Sequence, residues 1–136
     1  MSRRKVLVVE DDADLRLALS LRLGAFGYEV VQAWDGAGAV SVASAERPDA
    51  VLLDLGLPGD DGVTVLERYA ALPQLKHMPV VVLTGRDRAV FEPAVRALGV
   101  QEFLRKPADN DELRAALARA TTTTPAAFDA PEQWLG

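Results

Sequence analysis

Short apolar runs alternate with segments of helical periodicity along most of this 136-residue chain. The runs are mostly continuous, as in strands of a parallel sheet that is covered by helices on both faces. The pattern predicts five strands, at residues 5–9, 28–33, 50–54, 79–84 and 101–104. It predicts five helices, at residues 13–26, 37–46, 62–71, 88–98 and from Asp109 onwards. A repeated strand–helix unit indicates an α/β fold, a doubly wound parallel sheet with helices on both faces.

The amino-acid composition of the chain changes near residue 120. Residues 121–136 are rich in Thr, Pro and Ala and lack periodicity, which predicts one domain at residues 1–120 followed by a linker or C-terminal tail. The alternative is that Phe128, Trp134 and Leu135 dock on the domain or on a partner.

Composition excludes several classes of function. A net charge of −5 argues against a general nucleic-acid or anionic-membrane binder, and no apolar window approaches the roughly 18 residues of a membrane span. The chain has no cysteine, which excludes disulfides and thiolate sites and suits a reducing compartment. We therefore expect a cytoplasmic protein that contacts neither nucleic acid nor membrane through this domain.

Polar residues stand at the carboxyl ends of four predicted strands. Glu10 and Asp11 follow the first strand, Asp54 ends the third, Thr84 ends the fourth, and Lys106 comes just after the fifth. Ligands of doubly wound sheets bind at this edge. Because three adjacent acids repel one another, we expect Asp12 to cap the following helix and the other carboxylates to share a pocket with a cation.

Clustered carboxylates with one lysine are typical of a site for a hard divalent cation, most simply Mg²⁺. An aspartate is already anionic at neutral pH and can attack a phosphorus atom without a general base, provided that a metal and a lysine screen the phosphoryl oxygens. Thr84 and Lys106 could then each bind one phosphoryl oxygen of the acyl phosphate.

The chain resembles the receiver domains of response regulators from two-component signalling. The resemblance covers residue 4 to about residue 120. It is carried by VVEDD at 8–12, LLDLGLPGDDG at 52–62, VVLTG at 81–85 and FLRKP at 103–107. It implies a flavodoxin-like strand order of 2-1-3-4-5.

The resemblance also implies a role for each matching residue. Asp54 is the expected phosphoacceptor, Asp11 a direct Mg²⁺ ligand, and Glu10 a residue that acts nearby or through water. The backbone carbonyl of Gly56 completes the ligands, and Thr84 and Lys106 bind the phosphoryl group. The Lys106–Pro107 peptide is expected to be cis, and Pro58 and Gly62 match the turn after the phosphoacceptor.

Three features depart from the commonest pattern of the family. The first acid is Glu10, where Asp is more usual. Phe103 stands where Tyr is frequent and is either a switch aromatic or simple core. Gly56 and Arg86 flank the path of the attacking water, and Arg86 either pairs with the phosphoryl group or is an ordinary loop residue.

The function implied is a phosphorylation-dependent signalling switch, not an enzyme acting on external substrates. Its expected partners are a histidine kinase or phosphotransfer protein and a downstream output protein or fused output domain, with a homodimer also compatible. The alternatives are an aspartyl-phosphate phosphatase or phosphotransferase, and a phosphate-independent pseudo-receiver scaffold.

Overall fold

A computed structural model of the chain describes residues 3–55, 62–85 and 88–122, with the backbone alone described for residues 88–91. The strands are β1 (Lys5–Val9), β2 (Glu29–Ala33), β3 (Ala50–Leu53), β4 (Val80–Thr84) and β5 (Glu102–Arg105). The helices are α1 (Ala13–Ala25), α2 (Gly36–Glu46), α3 (Gly62–Ala71), α4 (Arg88–Ala97) and α5 (Asn110–Thr121). All ten predicted elements are therefore present, with ends that differ by one residue at most.

The five strands form one parallel sheet in the order β2-β1-β3-β4-β5. The doubly wound α/β fold and its strand order are confirmed. The winding direction reverses beside β1, which pairs with both β2 and β3. Because every strand is parallel, all five carboxyl ends lie at one edge of the sheet. No helix within the described ranges is long and apolar enough to cross a bilayer.

The core has two layers, one on each face of the sheet. Alternate residues of a strand point to opposite faces, so Val6 and Val8 pack with α1 and α5, whereas Leu7 and Val9 pack with α2, α3 and α4. Phe103 belongs to the second layer, where it is 4% exposed. Its aromatic ring is therefore a core side chain in this structure.

Local sequence signals set the helix ends nearest the carboxyl edge. Asp12 caps α1 by accepting from the backbone N–H groups of Asp14 and Leu15, at 2.9 and 3.0 Å, as predicted. Asp109 and Glu112 form a capping box at the start of α5. These caps fix where α1 and α5 begin relative to the ends of β1 and β5.

Gly62 begins α3 directly against the end of β3. A Cβ atom at this position would lie 2.6 Å from the Cα of Leu55. The backbone N–H of Gly62 also donates to the Leu55 carbonyl at 2.8 Å. The close approach requires glycine and holds α3 next to the residue that follows Asp54.

Tyr69 supports a prediction about alkaline stability. Its hydroxyl donates to the Ala39 carbonyl at 2.7 Å, and burial raises the pKa of the phenol above its ordinary value of 10.0. The unfolded chain therefore loses this proton first, so the stabilisation that the neutral phenol provides declines as pH rises above the unfolded value. Removing the hydroxyl in Tyr69→Phe should cost about 1 kcal/mol at neutral pH. It should also make stability fall less steeply with alkali, in urea unfolding measured from about pH 9 to about pH 11. Parallel declines in the two proteins would contradict this account.

Candidate functional site

The fold brings the predicted polar residues together at the carboxyl edge. Glu10 and Asp11 directly follow β1, Asp54 directly follows β3, Thr84 is the last residue of β4, and Lys106 directly follows β5. The backbone N–H of Lys106 donates to the Thr84 carbonyl at 2.9 Å, which ties the ends of β4 and β5 together. Four separate strand ends therefore contribute to one site.

Three carboxylates form the acidic part of this site. One carboxylate oxygen from each of Glu10, Asp11 and Asp54 lies within 4.8 Å of the other two. Glu10 is 2% exposed and Asp54 is 9% exposed, whereas Asp11 is exposed to solvent. The cluster thus has two buried members and one that faces outwards.

The Lys106 ammonium lies between the two buried acids. Its Nζ is 2.8 Å from Glu10 Oε1 and 3.5 Å from Asp54 Oδ2. Burial lowers the pKa of Lys106, but the hydrogen bond to Glu10 and the charge of Asp54 outweigh it, so the pKa is raised and the ammonium stays charged. Burial raises the pKa of Glu10, and the nearby Asp54 carboxylate adds to the rise, although the Lys106 hydrogen bond opposes it.

These groups carry an excess of negative charge. When all are ionised, three carboxylates face one ammonium, and such close like charges repel. The donor atoms are hard carboxylate oxygens, which suit Mg²⁺ and not a soft metal. The residues present therefore fit a divalent oxygen-binding cation.

Asp11 is the carboxylate of the site that faces solvent. Its exposed side borders a cleft of ≈500 Å³ that also includes Ala13, Arg16 and Trp34. Trp34 is 59% exposed, and the Arg16 guanidinium carbon lies 5.4 Å from the centroid of its indole ring.

Arg16 and Arg22 of α1 donate hydrogen bonds to loops of the site. Neither residue was predicted from the sequence to belong to the site. Arg16 Nη1 donates to the Glu10 carbonyl at 2.9 Å. Arg22 Nη2 donates to the Ala108 carbonyl at 2.8 Å, two residues beyond Lys106. Both bonds join α1 to a loop that carries a charged residue of the site, and neither arginine belongs to a recognisable motif.

The remaining predicted residues divide into two groups. The Lys106–Pro107 peptide is cis, as predicted. Gly56, Pro58 and Arg86 lie outside the described residues, as do Phe128, Trp134 and Leu135 of the tail. The proposed ligand role of the Gly56 carbonyl therefore stays a prediction.

The family of the chain follows from a match along most of its length. The family model of the response regulator receiver domain matches residues 6–118. The chain belongs to this family. Receiver domains are modules of two-component signalling, and the observed fold is the one that the resemblance implied.

Individual relatives show the range of proteins in which such domains occur. The receiver domain is 32% identical to sporulation initiation phosphotransferase F of Bacillus subtilis over 119 residues, which are 88% of this chain and 94% of that protein. It is 38% identical over 118 residues to the response regulator PleD of Caulobacter vibrioides. That match covers 86% of this chain but 26% of PleD, so the chain spans about a quarter of this relative.

A solved relative holds a metal at its active site. The receiver domain of the sensor histidine kinase PA1611 from Pseudomonas aeruginosa PAO1 is 28% identical, with a TM-score of 0.82. The match covers 90% of this chain and 100% of that one. That structure has a magnesium ion coordinated in its active site cleft.

Proposed function

We propose that this receiver domain is a signalling switch that accepts a phosphoryl group on Asp54 from a histidine kinase or phosphotransfer protein. The observation that carries the proposal is the convergence of Glu10, Asp11, Asp54 and Lys106 at one edge of the sheet. A structural ion pair would need one acid and one lysine. Three carboxylates around one lysine, one of them open to solvent, suit a site for charged ligands.

The proposed step is a phosphoryl transfer between two side chains. A carboxylate oxygen of Asp54 forms a bond to phosphorus as the phosphorus–nitrogen bond of the donor phosphohistidine breaks, and the imidazole nitrogen keeps the electron pair of that bond. Water later attacks phosphorus and releases inorganic phosphate, which restores the Asp54 carboxylate. No redox change or external base is required.

Lys106 and Thr84 bind the transferred group in this proposal. The Lys106 ammonium, 3.5 Å from Asp54 Oδ2, lies close enough to pair with a phosphoryl oxygen on that carboxylate. The Thr84 hydroxyl donates a hydrogen bond to a second phosphoryl oxygen. Thr84 is fully buried at the end of β4, and the proposal requires its hydroxyl to face the phosphoryl group once Asp54 is modified.

Glu10, Asp11, Asp54 and the Gly56 carbonyl are the proposed holders of Mg²⁺. The bound ion would supply positive charge that screens the phosphoryl oxygens from the acidic pocket. Asp11 is exposed to solvent, so an ion bound there can keep some of the waters that Mg²⁺ retains.

Asp11 provides a direct test of the metal site. We expect Mg²⁺ to raise the melting temperature of the protein, because an ion at 100 times its Kd stabilises the native state by about 2.7 kcal/mol. Replacing the exposed carboxylate in Asp11→Asn should weaken Mg²⁺ affinity by on the order of tenfold or more. Asp12→Asn is the matched control, because it removes the same charge one residue away and keeps a good N-cap. Equal Mg²⁺ affinities of the two variants, measured by calorimetric titration, would contradict the assignment of Asp11.

The signal is proposed to leave the site along β4 and β5. Val82 pairs with Phe103 across these strands, and Thr84 lies two residues beyond Val82 on the same face of the sheet. A turn of the Thr84 side chain would change the packing around Phe103 and then the surface formed by α4, β5 and α5. The proposed recipient of this conformational change is a downstream output protein or a fused output domain. Dimerisation through the same surface is a second proposed consequence of the change.

The chain is proposed to act as a stoichiometric acceptor and not as a turnover enzyme. A phosphatase that uses an aspartyl intermediate needs a general acid two residues after its nucleophile, and Gly56 stands there. The lack of cysteine suits a reducing compartment, so we propose that the domain works in the cytoplasm.

The proposal is tested by incubating the purified chain with acetyl phosphate. With Mg²⁺ present, intact-mass spectrometry should show the addition of one phosphoryl group, and the adduct should decay when the donor is removed. With EDTA present, the adduct should be absent, because the pocket then repels the anionic donor. An unmodified chain in the presence of Mg²⁺ would favour the pseudo-receiver scaffold and contradict this function.

A further inference from the structure

A second concave site lies at the opposite edge of the sheet from the acidic pocket. This cleft has a volume of ≈480 Å³ and is bordered by the amino ends of β4 and β5, the carboxyl ends of α3, α4 and α5, and the α3–β4 loop. Apolar side chains of Leu75, Met78, Leu98 and Val100 form part of its wall. Its volume is in the range of about 300–1,000 Å³ that is usual for clefts that bind small ligands.

The chain itself leads into this cleft. Thr122, the last described residue, directly follows α5 and lines the cleft. Trp134 stands twelve positions later, and an extended chain of that length spans about 40 Å, so Trp134 can reach every wall.

The chemistry of the segment complements that of the cleft. Residues 123–136 contain Phe128 and Trp134 together with Asp129 and Glu132, and they contain no lysine or arginine. The cleft offers apolar walls, an exposed Lys76 at its rim, and an Arg119–Glu102 ion pair whose charges offset each other. An aromatic side chain can fill the apolar part while the acids lie near the Lys76 ammonium.

We propose that this cleft is the docking site for residues 123–136 of the same chain, with Trp134 as the anchoring side chain. The inference is independent of phosphorylation, because the cleft shares no residue with the acidic pocket. Tethering favours the chain's own segment over a free partner of equal chemistry, since the connection through Thr122 gives the segment a high effective concentration.

The test uses the fluorescence of Trp134 in the full-length chain. The chain has two tryptophans, so the Trp34→Phe substitution leaves Trp134 as the sole indole. Ala70→Glu is added to place a negative charge in the cleft, where it should repel Asp129 and Glu132. Ala71→Glu is the matched control, because both alanines are exposed near the end of α3 but only Ala70 lines the cleft.

We expect Trp134 to emit at a shorter wavelength than in the urea-unfolded chain and to resist acrylamide quenching several-fold. Ala70→Glu should abolish both effects in a chain that circular dichroism shows to be folded, whereas Ala71→Glu should preserve them. Solvent-like emission in the parent protein, or identical quenching in the two alanine variants, would overturn the proposal. If Trp134 becomes accessible to acrylamide on dilution of the protein, the cleft binds the segment of a second copy. That result would overturn docking within one chain.

Discussion

Asp54→Asn is expected to abolish phosphorylation by acetyl phosphate in the presence of Mg²⁺. The amide has nearly the same size as the carboxylate but lacks the anionic oxygen that attacks phosphorus. Asp54 is 9% exposed and its Oδ2 lies 3.5 Å from the Lys106 ammonium, whereas Glu10, which lies closer to that ammonium, is 2% exposed. Intact-mass spectrometry should detect the adduct in the wild-type chain and none in the variant.

The control for this variant is Asp12→Asn, which removes one negative charge close to the site. Asn is as good an N-cap as Asp, so the helix should be retained and phosphorylation should proceed as in the wild type. Asp54→Asn itself should fold, because it reduces repulsion among the three clustered acids. Equal labelling of Asp54→Asn and Asp12→Asn would show that the phosphoryl group binds elsewhere.

Lys106→Met is expected to slow phosphorylation by about 100-fold. The substitution keeps an unbranched side chain one atom shorter but removes the ammonium that faces Asp54, and losing one such electrostatic contact typically costs about 10²–10³ in rate. Initial rates at saturating Mg²⁺ would measure the effect. The folded state must be verified by circular dichroism, because Glu10 is 2% exposed and loses its ion-pair partner in this variant.

Arg105→Met separates this effect from a general loss of charge. Arg105 precedes Lys106 on β5 and is exposed, so the control removes the same charge one position away. We expect its phosphorylation rate to match that of the wild type. A Lys106→Met rate equal to the Arg105→Met rate would remove Lys106 from the proposed mechanism.

The fold could be predicted because three of the five strands, β1, β3 and β4, are buried on both faces. Continuous apolar runs such as those of β1, β3 and β4, separated by helical segments, fit few folds other than a parallel sheet covered by helices. Element ends were predicted less well, and β5 lies one residue later than expected at both ends. The apolar run alone does not define that strand, because its register is set by pairing with β4.

The composition of the site could be predicted from the topology, because parallel strands bring their carboxyl ends to one edge. The pairing of side chains within the site could not. Lys106 hydrogen-bonds Glu10 across 96 positions of sequence and lies farther from Asp54. That preference depends on rotamers and burial, which strand patterns do not encode. For the same reason, the loop contacts of Arg16 and Arg22 had no sequence signal.

The phosphoryl group is proposed to form an acyl phosphate with the side chain of Asp54. The most direct measurement is peptide mapping of the phosphorylated chain after reductive trapping of the acyl phosphate with borohydride. The account predicts one modified residue, Asp54, converted to homoserine only when Mg²⁺ and donor are both present. Trapping at Glu10 or Asp11, or an adduct that resists reduction because it is not an acyl phosphate, would contradict it.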